Sequence, residues 1–105
     1  MKNLPPRFIL LTKTATADTA FKLTVTELWL EYADIFVTTN SAYIGDTSGQ
    51  TAAIYANDVL TIPYPVDINN LLFKNLTGGS NAVVTIIGTT LTQKKANEYG
   101  IVIPD

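Results

Sequence analysis

The chain has no histidine and no cysteine among its 105 residues. Without histidine, the commonest general acid–base side chain is gone, and Ser–His and Cys–His nucleophilic systems go with it. Without cysteine there is no disulfide and no thiolate, and the two absences together remove the ligands of a structural zinc site. Charge is scarce as well: Asp, Glu, Lys and Arg make up 15% of the chain, against about a quarter in an average soluble domain. The formal net charge is −2, and the longest basic run is Lys94-Lys95. No clustered cationic patch is therefore available to displace the counterions of a nucleic acid. Long hydrophobic runs are missing too; residues 8–11 (FILL) form the longest run of large apolar side chains, far short of the ~20 residues of a membrane span. The opening MKNLPPR is interrupted by prolines and leads to no small-residue cleavage site, so a signal peptide is not expected. The expected site of synthesis and residence is a cytoplasm, unless the chain travels within a larger assembly.

What is present favours strands. Hydrophobic residues make up 47% of the chain, and threonine occurs 16 times alongside frequent Val, Ile, Tyr and Phe. β-Branched and aromatic side chains suit a pleated, half-buried surface better than a helix. The length allows one domain with a real core and is too short for two. Low charge reads either as a surface covered by a partner or as a neutral surface rich in Thr and Asn.

Pro5-Pro6 sets an extended entry, and residues 7–13 (RFILLTK) read as a first strand. Phe21, Leu23 and Val25 alternate with polar neighbours, the period-2 mark of a strand with one wet face. The phase slips near Glu27, after which Leu28, Leu30 and Tyr32 carry the apolar positions; a bulge or a new strand is expected there. Residues 34–46 (DIFVTTNSAYIGD) read as a β-hairpin turning at Asn40-Ser41. Short strands are expected at 52–55, 59–62 and 71–74, and Pro63 and Pro65 block central pairing between them. Residues 82–87 (AVVTII) are apolar at both parities, as in a buried central strand that Gly88 ends. Residues 92–99 form the one expected helix, capped by Thr92 and stopped by Gly100. The expected fold is all-β: a single-domain β-sandwich, jelly-roll-like, of about seven to eight short antiparallel strands with a short C-terminal helical turn. It spans 1–105, with an extended N-terminal arm at 1–6 and a C-terminal tail at 92–105.

Few residues offer chemistry. Glu27 with Glu31, or Asp34 with Asp46, are formal carboxylate pairs for glycoside hydrolysis, but no nucleophile, base or orienting group converges on them, and no enzyme activity is expected. Asp46-Thr-Ser-Gly-Gln50 offers oxygens to a calcium ion but lacks the regular ligand spacing; an Asx turn is the stronger expectation. Asn75-Leu76-Thr77 matches a glycosylation acceptor, discounted in the absence of a secretion signal. No catalytic, cofactor-binding or metal residue is assigned, and no cofactor, nucleic-acid partner or membrane is expected. Trp29, Tyr32, Tyr43, Tyr55, Tyr64 and Tyr99 would serve a sugar-binding module if two or three shared one exposed face; packing at core and edges is the simpler account. Ile101, Val102 and Ile103 should not stand in water, so they pack on their own domain or add to a neighbour's sheet edge.

The order of Asn40, Ala42, Tyr43, Ile44, Gly45 and Asp46, then Leu60, Thr61, Ile62 and Pro63, then residues 82–87, resembles small β-sandwich virion proteins of tailed bacteriophages, the capsid decoration, cement and minor head or tail proteins. The chain departs from that pattern at Pro63-Tyr-Pro65 and after Thr92. The resemblance implies a mechanical role: decorating or cementing a capsid, or joining head and tail parts, in a virion made in the host cytoplasm. It implies as partners a second copy of the chain, with a trimer as the expected homo-oligomer, and a major capsid or other virion protein. The residues expected to carry the interface are Trp29, Tyr64, Pro65, Ile101, Val102 and Ile103. The alternative is a carbohydrate- or receptor-binding sandwich of a phage tip or a bacterial protein.

Overall fold

Strand pairing divides the chain into two antiparallel sheets that face each other across one apolar layer. The computed structural model describes residues 5–16 and 18–104; residues 1–4 of the expected arm and Asp105 of the tail lie outside the described residues. The strands are β1 (Phe8–Thr14), β2 (Trp29–Thr39), β3 (Ala42–Asp46), β4 (Gly49–Ile54), β5 (Val59–Ile62), β6 (Val66–Asp67), β7 (Leu72–Asn75) and β8 (Val83–Thr90). A 3-10 turn, Ile68–Asn70, precedes β7, and one helix, α1 (Gln93–Tyr99), follows β8. The first sheet runs β1-β8-β2-β5, with β6 also paired to β2; the second runs β4-β3-β7. Phe21 adds a single antiparallel bridge to Phe73 on the free edge of β7. Counting that bridged residue as a reduced strand, the chain follows the two-sheet order of a jelly roll, with the first and last strands adjacent in one sheet. The expected all-β sandwich is borne out.

Three local expectations differ from the structure. Residues 34–46 are not a hairpin: β2 and β3 belong to different sheets and do not pair. Asn40, at φ 58°, turns the chain from one sheet to the other, a left-handed conformation that Asn tolerates better than most residues. Asn-Ser signals a turn equally well for a hairpin and for a crossing between sheets, and only the partners of the two strands distinguish them. The true hairpin is β3–β4, closed by Asp46, whose Oδ1 accepts from the Ser48 amide at 2.8 Å, the expected Asx turn. Second, the alternation at Phe21, Leu23 and Val25 does not make a strand. Phe21 is bridged, but Val25 is 98% exposed. This stretch is held instead by side chains: Asn69 Nδ2 donates to the Thr24 carbonyl at 3.0 Å, and Asp67 Oδ1 accepts from the Leu28 amide at 3.0 Å. Third, Gly88 does not end β8, which continues to Thr90. Gly88 lies where β2 is irregular between Leu30 and Tyr32, and a Cβ there would come within 2.4 Å of the Tyr32 carbonyl oxygen. The glycine admits the bulge that the slipped apolar phase predicts.

The core follows from alternation. Leu30, Ala33, Ile35 and Val37 of β2 and Val84 and Ile86 of β8 point inward and are fully buried. They meet Ile44 of β3 and Phe73 of β7, whose ring lies 6.0 Å from that of Phe21. Asn75, buried at the end of β7, accepts from the Ala82 amide at 2.9 Å and donates to Asp18 Oδ1 at 3.0 Å, tying two loops together. Asp18 in turn accepts from the Gly79 amide at 3.0 Å. At the C-terminus Thr92 caps α1 as expected. Gly100, at φ 69°, closes it, with the Ile101 amide donating to the Ala96 carbonyl at 2.9 Å, the Schellman arrangement.

Candidate interaction surface

The outward face of the first sheet is the largest chemical feature that the core does not absorb. Register places its side chains in rows across the strands. One row holds Phe8, Thr89 and Tyr32; the next holds Leu10, Ile87, Asp34 and Thr61; the third holds Thr12, Thr85, Phe36 and Val59. Phe8 is 65% exposed, Leu10 55% and Val59 61%, while Ile87, Phe36 and Tyr32 are half-buried among their neighbours. The polar members are largely satisfied within the face: Thr12 and Thr85 share a hydroxyl hydrogen bond of 3.0 Å, and the Thr61 hydroxyl donates to Asp34 Oδ1 at 2.7 Å. A face of this kind gives up little hydration when covered, because its polar groups already have partners.

Among the described residues, the edge beside it is open. The Thr90 amide donates to the Arg7 carbonyl and the Ala15 amide to the Ala82 carbonyl, both at 2.9 Å, at the two ends of the β1–β8 ladder. The odd-numbered residues of β1 therefore face β8, and Phe8, Leu10, Thr12 and Thr14 turn their amides and carbonyls to the free edge. The other edges are blunted: β5 has four residues and runs into Pro63, β4 pairs across a bulge at Gly45, and Phe21 covers part of β7. On the far side of the sandwich, β4 and β5 border a groove of about 330 Å3 lined by Ile44, Ala52, Ala53, Ile54, Asp58, Val59 and Leu60.

The interface residues expected from the sequence lie about the start of β2 and along the C-terminal tail. Trp29 opens β2, half-buried, with Nε1 donating to Glu27 Oε2 at 2.6 Å and its carbonyl accepting from the Leu91 amide at 3.0 Å. Tyr64 is exposed and Pro65 half-buried in the detour between β5 and β6, both of which pair with β2. Trp29, Pro65 and the start of the C-terminal segment thus meet at the end of the sandwich where β2 begins. In the tail, Ile101 and Ile103 are half-buried and Val102 is 78% exposed. Tyr55 and Tyr64 are exposed on two separate connections and Tyr99 at the end of α1, so they share no strand or helix face. The sequence reading missed Phe8, Leu10, Phe36 and Ile87 as one surface. Its signal was there: β1 and β8 are apolar at both parities, more than a single buried face requires.

The described residues hold no cluster of three or more acidic side chains positioned for a metal ion. The one titrating group clearly displaced from its ordinary behaviour is Asp18. Its carboxyl is held below its usual value by the Asn75 side-chain hydrogen bond first and the Gly79 amide second. That serves loop anchoring and lies away from the outward face. No known protein family, no curated protein and no solved structure matches this chain.

Proposed function

We propose that this chain is a non-enzymatic structural protein of a tailed-phage type of virion, which decorates or cements a capsid, or joins head and tail parts, through protein–protein contacts. The observation that carries the reading is the outward face of the first sheet, where Phe8, Leu10 and Val59 stand exposed, the first two on the strand whose edge is open among the described residues. Burying apolar area stabilises a complex by ~25 cal/mol per Å2, from which the cost of association must be subtracted. A low-charge face with internally paired hydroxyls suits that balance. The resemblance of residues 40–46, 60–63 and 82–87 to small virion proteins supports the same reading, and jelly rolls serve repeatedly in viral shells. In this reading the partners are further copies of the chain and a major capsid or other virion protein.

The test is to purify particles by density gradient from cells carrying the gene and to quantify the chain by mass spectrometry. A fixed stoichiometry to a coat protein is expected. Absence from the particles, together with saturable binding of the free chain on a glycan array, would replace this reading with a carbohydrate-binding one.

A further inference from the structure

The charges of the sandwich are sorted by side. The β1 side carries Arg7 and Lys13, with Lys22 beside the bridged Phe21 and Lys74 on β7. Lys13 links these elements, its Nζ donating to the Lys22 carbonyl at 3.2 Å and lying 5.9 Å from the Phe21 ring centre. Among the described residues the one acid on that side, Asp18, is engaged by Asn75 and Gly79. The opposite side carries Asp58 in the groove between β4 and β5 and Asp46 at the turn of the β3–β4 hairpin and, among the described residues, no base at the groove.

One pair of charges also matches in height. Arg7 pairs with Thr90, which pairs with Leu30, so it lies at the end where β2 begins; Asp46 ends β3 only part of the way toward that end, since β3 has five residues and β2 eleven. Lys13 lies level with Val84 and Val37 at the other end, and Asp58 follows Asn57, whose amide donates to the Val37 carbonyl. Two copies placed side by side in the same orientation therefore bring Lys13 to Asp58, with Arg7 further along the same basic edge. A two-fold arrangement that pairs β1 with β1 would instead set Arg7 and Lys13 of both copies together, and like charges in an interface are costly.

We propose that the groove between β4 and β5 receives the β1 edge of a second copy of this chain. The contact joins two different surfaces, so copies add in one direction and close into a ring or extend as a filament. This deepens the structural-protein reading by naming its self-contact, and it stands or falls separately: absence from particles would remove the virion role and leave the contact intact.

The experiment is sedimentation velocity on the full chain and on two variants altered at exposed positions. One carries Leu10→Glu with Lys13→Glu on the β1 side; the other carries Ala53→Arg with Asp58→Arg at the groove. Circular dichroism melts establish that both fold. At roughly millimolar concentration the unaltered chain is expected to associate, each variant alone to sediment as a monomer, and an equal mixture to form a dimer, since each variant keeps one intact side. A monomeric unaltered chain, a groove variant that still associates as the unaltered chain does, or a monomeric mixture overturns the proposal. A second, gentler pair guards against damage to packing. Lys13→Glu and Asp58→Lys should each weaken association by about tenfold, and the two reversals combined in one chain should restore it. Failure of the combined reversal to restore association also counts against the contact.

Discussion

The two faces of the first sheet are built from the same few residue types and differ only in what lies opposite. On the inward face Ile35, Val37, Val84 and Ile86 meet Ile44 and Phe73 and are fully or almost fully removed from water. On the outward face Phe8, Leu10, Phe36 and Ile87 form rows as regular, yet Phe8 and Leu10 remain more than half exposed. The inward face stabilises the fold through burial within the chain. The outward face can contribute comparably only when a second surface covers it. The same residue types thus contribute to folding only on the sheet face that other parts of the chain cover.

The contrast breaks most sharply at its inward centre. Phe73→Ala removes a fully buried ring that fills the space between the sheets and contacts Phe21; the expected loss is about 3–5 kcal/mol, a large part of the ~5–15 kcal/mol that a domain possesses. Chemical denaturation should show it as a much lower midpoint. A smaller loss is expected for Asn75→Ala, which leaves the buried Ala82 amide without its acceptor and frees Asp18: about 1–3 kcal/mol, measured the same way.

Acid should probe the loop anchor by itself. The folded-state carboxyl of Asp18 lies below its ordinary value of 3.8, so its contribution is fully present above that pH and fades as pH falls through the lower folded value. Thermal melts of the unaltered chain and of Asp18→Asn should differ at neutral pH and converge in acid. A gap that is constant with pH would mean that the carboxylate charge has no part in anchoring the loop.

The smallest effect on stability belongs to the outward face. Leu10→Thr should change unfolding free energy by no more than about 0.5 kcal/mol, while lowering association measurably in sedimentation. If it destabilised the monomer as a core substitution does, the outward face would have to be counted as part of the core.

Much of the fold was legible because it depends on local signals. β1, β5, β7 and α1 fall close to where alternation, prolines and caps predict them, and the α1 boundaries follow Thr92 and Gly100 directly. The misread elements depend on distant partners. Asn40 signals a turn but not which sheet the chain enters next. The alternation at Phe21–Leu23–Val25 is genuine, yet residues 21–28 are held by Asp67 and Asn69, which lie some forty residues away.

By itself, the sequence determined that this is a single all-β domain with no histidine or thiol chemistry, because composition and period-2 alternation act residue by residue. Only the tertiary structure decided which strands share a sheet, and hence that Phe8, Leu10, Phe36 and Ile87 form one uncovered face. It alone sorted Arg7 and Lys13 to one side and Asp46 and Asp58 to the other. Those properties arise from pairings between residues far apart in the chain, such as Leu10 with Ile87 and Ile87 with Asp34, and no local pattern encodes which distant strand will be the neighbour.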